Sequence, residues 1–567
     1  MEFTLLSPVT WPAYPLINRV LQLLLLWAIW HSFRRWNAIC TVRTVAPRSL
    51  LLTLSVIVLV VLGRTPYSAS NLEVSDAVQY AVGAFRFALT GTFAIPVEAA
   101  LMPPRYPPWF STMILEPIYQ IPGAGLGDGI VPVTLLALVG VVAAFKLGKE
   151  YAGILGGSLA ALALTITPEY RHMSRIIWSD GPTAAFSLVL LLLFVAIVRS
   201  RELRMSDCLA ATAIAGAAGL FRFTGVGFLA PFLIPVWLYR RGLARITGLL
   251  LLGSGAVVAA ALSFVYNQVV FGDPFRSGYH VWVSVPYDFP GLLFNLSYIP
   301  ESFLILLQYS SLPGLVLLHL LLALPGIRRT ILKRAVDLPK LNPELLWFSA
   351  AMAGALLPVF LPYYYFRERF LLPMIAPLAV LLAIRTAHLL KAMQLTERTY
   401  RIALSIAVVT VVVFRPLTAE VPFRRDQVEA IRSVTPKESV IVSALDPVYL
   451  KTMLPAEEGR QILPLSRTVE IASKLYTPLP PGPIQPPPRS PEDHLAPGLL
   501  ERGSFAPITV VALSESDPIT KHLHQQVPVF LESSNARPEE LELLRSRFTF
   551  TAVAPYLYRI GERSGDS

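Results

Sequence analysis

The sequence is poor in charged residues and almost free of cysteine, and both deficits narrow what the chain can be. Only 15% of its 567 residues are Asp, Glu, Lys or Arg, whereas soluble domains usually carry about 25%. Because 54% of the residues are hydrophobic, the composition predicts an integral membrane protein. The two cysteines, Cys40 and Cys208, lie far apart, so they indicate neither a disulfide framework nor a zinc site.

Several common motifs are also missing. The chain contains no GxGxxG after a strand, no P-loop, no HExxH and no internal repeat, so no motif supports nucleotide or zinc-protease chemistry. The net charge of +11 falls in short basic patches between apolar runs, which is the pattern of membrane proteins and not of a nucleic-acid-binding stripe. The N-terminus lacks the basic segment and cleavage site of a signal peptide, so we expect no signal peptide to be removed.

Apolar runs that could cross a bilayer recur over the first 418 residues. A span needs about 20 largely apolar residues, and by that rule the sequence predicts an α-helical polytopic membrane protein with about twelve spans. They are centred on residues 14–33, 48–64, 131–147, 152–168, 182–199, 208–220, 224–239, 246–266, 303–324, 344–362, 370–388 and 402–416. The runs 208–220 and 224–239 are short and flank Arg222, so a single broken or re-entrant element is the alternative there.

Basic residues are concentrated in alternate loops, and the positive-inside rule makes that face cytoplasmic. The other face and both termini are then predicted to lie outside. Seven arginines nevertheless fall in outer segments, namely Arg105, Arg171, Arg175, Arg222, Arg276, Arg367 and Arg369. Arginines on the outer face run against the positive-inside rule, so we interpret these seven as residues of a functional site.

The composition changes after residue 418, which predicts a second domain. The domain boundaries are 1–47 for an N-terminal span and cytoplasmic loop, 48–418 for a transmembrane catalytic domain with its first outer loop at 66–130, and 419–567 for a small extracytoplasmic α/β domain. In the last of these we predict a helix at 424–434, strands at 439–444, 508–513 and 548–560, a short helix capped by Asp446, and a polyproline connector at 477–491.

Acidic residues of the outer face are candidates for proton transfer. Asp76, directly before a helical pattern, is either an N-cap or a general base that takes a proton from an acceptor hydroxyl or amine. Asp180 either caps the helix that follows or forms a pair of carboxylates with Asp76 at one cleft. Glu73 is either a second acid or an ordinary loop residue. The catalytic candidates are therefore Asp76, Asp180 and Glu73, with Asp76 first.

Arginines and tyrosines of the same face are candidates for binding a phosphate-bearing substrate, since guanidinium groups match phosphate oxygens. Arg222 either snorkels to the lipid interface or contacts phosphate. Arg367 and Arg369 follow a run of tyrosines that by itself is typical of an interfacial aromatic belt. The substrate-binding candidates are Tyr80, Arg105, Tyr106, Arg175, Arg222, Arg276, Tyr279, Arg367 and Arg369.

The order of these features resembles the polyprenyl-phosphate-sugar-dependent membrane glycosyltransferases of the GT-C fold, in particular the protein O-mannosyltransferases and the lipid A aminoarabinose transferases. Five places between residues 48 and 388 carry the resemblance: Ser75-Asp76 with Tyr80 and Gly91; Arg105-Tyr106-Pro107-Pro108; residues 175–180; residues 222–225 with 271–279; and residues 367–373. Ala77 stands where many members have a second acid, and the first span is extra.

The resemblance implies a single displacement with inversion at the anomeric carbon. Asp76 would deprotonate the acceptor while arginines hold the polyprenyl phosphate leaving group. The implied partners are a polyprenyl-phosphate sugar donor, membrane lipid and an acceptor protein, lipid or glycan, without nucleic acid. No metal site is indicated, and a divalent metal stays open as a cofactor. We expect a bacterial cytoplasmic (inner) membrane protein whose site and C-terminal domain face outward.

Two alternatives remain at this point. One is a multi-span transporter or flippase, which would place ionisable residues inside the spans and often repeat its halves. The other is a polymerase or ligase of surface polysaccharide, which the sequence separates poorly from the glycosyltransferase.

Overall fold

The structure is a computed structural model of the chain. It describes residues 11–40, 75–92, 95–97, 100–102, 106–279, 293–323, 342–363, 366–392, 425–443, 445, 450, 454, 459–465, 469–472, 509–513, 518–534, 536 and 538–562. The predicted spans 48–64 and 402–416 lie outside these residues, as do the connector 477–491 and Asp446.

Among the described residues before 393, the regular elements are helical apart from one short hairpin of strands β1 (Ile95–Val97) and β2 (Ala100–Met102). Its helices are α1 (Tyr14–Ile39), α2 (Ser75–Thr90), α3 (Glu116–Tyr119), α4 (Ile130–Ile166), α5 (Pro168–Met173), α6 (Asp180–Ser200), α7 (Met205–Phe221), α8 (Ala230–Tyr239), α9 (Gly242–Phe271), α10 (Ile299–Tyr309), α11 (Leu312–Ala323), α12 (Pro343–Phe360) and α13 (Leu372–Ala392). A π-helix occupies Ser111–Leu115, and 3₁₀ turns occupy Leu126–Gly129, Phe223–Leu229, Leu296–Tyr298 and Glu368–Leu371.

Among the described residues, six helices are long and apolar enough to cross a membrane, or seven if the bent pair α10 and α11 forms one span. The chain is therefore a multi-pass helical membrane protein, as predicted, although the number twelve is not established. Helix α6 lies at the centre and packs against α1, α4 and α13. Its side chains from Asp180 to Ile197 are all buried, which explains why its sequence is apolar on every face.

Helix α4 contains two predicted spans, 131–147 and 152–168, folded into a hairpin. The backbone leaves helical geometry at Ala152 and at Gly153, where φ is +69°. Beyond this turn the two limbs pack tightly, because a Cβ on Gly148 would lie 2.2 Å from the carbonyl oxygen of Gly156. In a straight helix those two residues would be about 12 Å apart. The two spans predicted here are therefore present as antiparallel limbs.

Helix α7 and the segment Phe223–Tyr239 form a second hairpin, with Arg222 at its turn. Gly225 is required there, since a Cβ would lie 2.2 Å from the carbonyl carbon of Ala218. Arg222 reaches Asp180 at one end of α6, whereas Tyr239 donates to the carbonyl oxygen of Val198 near the other end. The two limbs thus run beside α6 in opposite directions.

The predicted span 303–324 is not one straight helix. Helices α10 and α11 meet there at a bend of 74°. Pro313, in the first turn of α11, has no N–H to donate to the carbonyl oxygen of Tyr309 and its ring would clash with that carbonyl, so α10 cannot continue through it. The buried carboxylate of Glu169 stabilises the break, since it accepts hydrogen bonds from the Ser311 backbone N–H at 2.6 Å and from the Ser311 hydroxyl at 2.8 Å.

The C-terminal part is a small α/β unit. A five-stranded sheet has the order β4-β3-β7-β9-β8, in which β3 is parallel to β4 and β7, and β9 is antiparallel to β7 and β8. A separate pair consists of β5 and β6. The elements are α14 (Arg425–Val434), β3 (Val440–Ser443), β4 (Gln461–Pro464), β5 (Val469–Ala472), β6 (Thr509–Leu513), α15 (Pro518–His524), β7 (Val529–Glu532), α16 (Pro538–Arg547), β8 (Phe548–Ala554) and β9 (Leu557–Glu562).

Candidate functional site

Helix α2 carries the first candidate acid. It begins at Ser75, so Asp76 lies in its first turn, and it ends at Thr90 before Gly91, whose φ is +69°. This agrees with the predicted helix start and with the predicted glycine turn, since left-handed glycine commonly ends helices. A carboxylate in a first turn is favoured in its ionised form by the helix dipole, which is the form that a general base needs.

Three of the predicted tyrosines form one aromatic group beside α2. The rings of Tyr80 and Tyr106 are 4.8 Å apart, and the ring of Tyr279 meets Tyr106 edge-on at 5.4 Å. Tyr80 also contacts Phe110 edge-on at 5.0 Å. The structure therefore brings together residues that are almost 200 positions apart in the sequence.

Asp180 and Arg222 form an ion pair at the end of α6. The distance from Arg222 Nη2 to Asp180 Oδ2 is 3.0 Å, and Arg222 Nε donates to the Ser179 hydroxyl at 3.2 Å. The Asp180 side chain is only 3% exposed, whereas that of Arg222 is 25% exposed. Arg222 thus neither points simply to the lipid interface nor stands unpaired.

The electrostatic surroundings of Arg222 connect this ion pair with the tyrosine group. Burial lowers the pKa of the Arg222 guanidinium, but the carboxylate of Asp180 and the hydroxyls of Tyr80, Tyr279 and Tyr106 raise it, and the net effect is an increase above its ordinary value. The guanidinium therefore remains charged and faces the tyrosines. A fixed positive charge with one exposed side is suited to an anionic ligand.

A second arginine lies next to the first. The guanidinium carbon of Arg369 is 3.8 Å from the centre of the Trp178 ring, and that of Arg222 is 4.7 Å from the centre of the Phe370 ring. Cation–π contacts of this kind hold a guanidinium in place without neutralising it. The loops 175–180, 222–225 and 366–371 therefore meet at one end of the bundle and present two arginines there.

The other predicted site residues lie either on loops near this cluster or outside the described part of the chain. Arg175, Arg276 and Arg367 are half-buried and lie on loops at the same end of the bundle, at positions 172–179, 272–279 and 366–371. Glu73 and Arg105 lie outside the described residues, and only the backbone position of Asp76 is described. The cluster therefore contains Tyr80, Tyr106, Asp180, Arg222, Tyr279 and Arg369.

The π-helix Ser111–Leu115 follows Tyr106 and is held by α1. The side-chain amides of Asn18 and Gln22 donate to the carbonyl oxygen of Thr112 at 3.1 and 2.9 Å, and the hydroxyls of Tyr14 and Thr112 are 2.6 Å apart. π-Helical turns leave carbonyl groups without their usual partners and are frequent at functional sites. The N-terminal helix α1 thus supports the segment 106–115 through these hydrogen bonds.

The opposite end of the bundle carries a separate ion-pair group. There the fully buried carboxylate of Asp207, in the first turn of α7, lies 2.9 Å from His31 Nε2 and 3.4 Å from Arg35 Nε. Asp207 and Arg222 lie at opposite ends of α7, about 22 Å apart along its axis. In the part of the chain that the structure describes, no group of three or more His, Cys, Asp or Glu side chains could hold a metal ion.

Sequence reasoning did not single out four contributors to the site: Ser179, Trp178, Phe370 and Gln79. Ser179 and Trp178 immediately precede Asp180, and Phe370 follows Arg369, so their proximity to predicted residues was a usable signal. Gln79 is 4% exposed and lies three residues after Asp76, where the helical repeat places it on the same face.

Comparison with known proteins supports the predicted fold. Residues 106–273 match the family model described as dolichyl-phosphate-mannose-protein mannosyltransferase. The chain is similar in structure to ArnT from Cupriavidus metallidurans bound to undecaprenyl phosphate, with a TM-score of 0.50 and 14% identity over 91% of this chain and 98% of that chain. The apo crystal structure of the same ArnT gives a TM-score of 0.50 and 14% identity over 90% and 97%.

None of the curated protein sequences matches the chain significantly. At 14% identity the structural similarity establishes the fold. The predicted GT-C architecture is therefore confirmed.

Proposed function

We propose that the chain is a membrane glycosyltransferase that moves a sugar from a polyprenyl-phosphate donor to an acceptor at the outer face of the membrane. The observation that carries this proposal is the cluster of Tyr80 of α2, the Asp180–Arg222 ion pair and Arg369 at one end of a bundle with the GT-C fold. The ArnT with the same fold was crystallised with undecaprenyl phosphate, which is the leaving group that such a donor would release.

In the proposed reaction, Asp76 acts as the general base. Its carboxylate takes the proton from the acceptor hydroxyl or amine as that atom attacks the anomeric carbon of the sugar. The bond from the anomeric carbon to the phosphate oxygen breaks in the same step, so the configuration inverts. The electron pair of the broken bond leaves with the polyprenyl phosphate, and no nucleotide is needed because the lipid phosphate already activates the sugar.

Arg222 and Arg369 stabilise the departing phosphate. Negative charge grows on the phosphate oxygens as the bond breaks, and fixed donors aimed at such charge lower the barrier. Both guanidiniums are held in advance by aromatic rings, so little reorganisation is required. Asp180 serves as the partner that positions Arg222, since its carboxylate is almost completely buried against that arginine.

We assign the site and the C-terminal domain to the outer side of a bacterial cytoplasmic membrane. The basic loops at the Asp207 end of the bundle support this orientation through the positive-inside rule. A tag at the C-terminus is expected to be cleaved by protease added to intact spheroplasts. Protection of that tag, with a cytoplasmic marker protein equally protected, would contradict the orientation.

Transfer of radiolabelled sugar tests the proposed function. Purified protein should transfer label from at least one polyprenyl-phosphate sugar to an acceptor fraction of the native membrane, and should not transfer it from the matching nucleotide sugars. Transfer from a nucleotide sugar alone would contradict the proposal. Membranes from cells that lack the protein provide the background measurement.

A further inference from the structure

Gln79 has a buried amide oxygen for which the described residues provide no hydrogen-bond partner. The residue is only 4% exposed. A buried acceptor without a partner costs about 1–3 kcal/mol, and native proteins retain few of them. An unpaired acceptor next to a proposed site indicates that a bound ligand supplies the missing hydrogen-bond donor.

Gln79 borders a small cavity beside Tyr80 and Tyr106. Gln79, Tyr80, Tyr106, Ser111 and Thr112 are among the residues that line it. The cavity measures about 10 Å³, which is the space of one water molecule or one hydroxyl group and not that of a sugar ring. It therefore suits a single projecting group of a larger ligand.

The position of the cavity links it to the proposed reaction. Gln79 and Tyr80 follow Asp76 by three and four residues, so the helical repeat places all three positions on one face of α2. Tyr80 and Tyr106 line the cavity and also face the guanidinium of Arg222. The cavity thus borders the helix that carries the proposed base and two tyrosines that face Arg222, so a donor sugar whose phosphate meets Arg222 would lie beside it.

The lining determines which chemical group fits. None of the described residues that line the cavity is charged. The Thr112 hydroxyl is already engaged, since it pairs with Tyr14 at 2.6 Å and donates to the Pro108 carbonyl oxygen at 3.1 Å. A hydroxyl can donate to the Gln79 oxygen at little cost, whereas an ammonium group inside the cavity would lose its hydration and meet no carboxylate among these lining residues.

We propose that Gln79 is a specificity-determining residue, whose amide oxygen accepts a hydrogen bond from one hydroxyl of an uncharged donor sugar docked in this cavity. This inference rests on the proposed function and adds the substrate class: a neutral sugar in place of an amino sugar.

Ligand binding to the full-length protein in detergent tests the assignment. Dissociation constants are measured for undecaprenyl phosphate, for undecaprenyl-phosphate mannose and for the corresponding 4-amino-pentose lipid. The variants are Gln79→Met, which keeps the length of the side chain but removes its polar atoms, and Gln79→Glu, which brings a negative charge into the cavity. Gln427→Met is the matched control, because Gln427 is 2% exposed and lies in α14 of the C-terminal domain.

The wild-type protein should bind the mannose lipid more tightly than undecaprenyl phosphate. Gln79→Met should reduce that preference by about 3- to 10-fold, the value of one hydrogen bond, while its affinity for undecaprenyl phosphate stays unchanged. Gln79→Glu should shift the preference toward the amino-sugar lipid. Gln427→Met should behave as wild type.

Deoxy analogues of the mannose lipid identify the hydroxyl. The wild type should bind one of these analogues more weakly than the mannose lipid, by the same factor that Gln79→Met costs. Gln79→Met itself should bind that analogue and the mannose lipid equally well, because both changes remove the same hydrogen bond. If Gln79→Met kept the wild-type preference for the mannose lipid over undecaprenyl phosphate, the role of Gln79 would be overturned, whereas donor binding by the protein would still be supported. A wild-type preference for the amino-sugar lipid would overturn the neutral-sugar assignment. Failure of the wild type to bind any of the three lipids would overturn the proposed function itself.

Discussion

Replacing Asp76 with asparagine is expected to reduce the rate of sugar transfer by about 10²- to 10⁴-fold, the usual contribution of a general base. Asparagine has nearly the same size and shape as aspartate, and Asp76 lies in the first turn of α2, where only the interaction of its charge with the helix dipole is lost. The variant should therefore keep the helix and its thermal stability while losing the group that accepts the proton. The measurement is the initial transfer rate beside the melting temperature and the affinity for undecaprenyl phosphate.

Asp128→Asn is the matched control for this variant. Asp128 belongs to the 3₁₀ turn before α4, and its carboxylate accepts a hydrogen bond from the backbone N–H of Gly125 at 2.7 Å. We expect transfer close to the wild-type rate. Equal activity of wild type and Asp76→Asn would remove Asp76 from the mechanism, leave its capping role as the complete explanation, and direct attention to Glu73 and Asp180.

Replacing Arg222 with glutamine is expected to have the second large effect. Transfer should fall by about 10²- to 10³-fold, since one preorganised donor to a developing negative charge is lost. Stability should fall by about 3–5 kcal/mol, because a buried carboxylate loses its partner, and Asp180 is only 3% exposed. Transfer rate per folded protein and the unfolding midpoint in detergent measure the two losses separately.

A double variant separates the two roles of Arg222. Arg222→Gln combined with Asp180→Asn removes both charges, so it should regain much of the stability but none of the transfer rate. Recovery of transfer in the double variant would contradict a direct role of Arg222 at the phosphate. Arg35→Gln weakens a comparable buried pair with Asp207 at the other end of α7, and it should lower stability while transfer per folded molecule is kept.

The membrane architecture was largely predictable because it depends on local sequence. Hydropathy identified α6, α9, α12 and α13, since a helix in lipid must be apolar over its whole length. It also separated the two limbs of α4, because the basic segment 146–149 interrupts the apolar run. Strands β3, β6, β8 and β9 followed from short β-type runs.

The features that the sequence did not predict have a common cause: each depends on contacts between residues that are far apart in the chain. The bend between α10 and α11 is stabilised by Glu169, more than 140 positions earlier, and hydropathy does not register such a contact. The pairing of Asp180 with Arg222 was likewise invisible, although each residue was a candidate by itself. Gln79 is uncharged and belongs to no recognised motif, so the sequence offered no reason to select it. It is recognised only in the structure, because it is buried beside the cavity.

The most direct measurement of the central claim is a single turnover with a doubly labelled donor, undecaprenyl-phosphate mannose carrying ¹⁴C in the sugar and ³H in the lipid. We predict that each molecule of sugar transferred to the acceptor releases one molecule of undecaprenyl phosphate, with inverted configuration in the product, and that Asp76→Asn does neither. Movement of the intact donor across the membrane without cleavage would contradict glycosyl transfer and indicate a flippase.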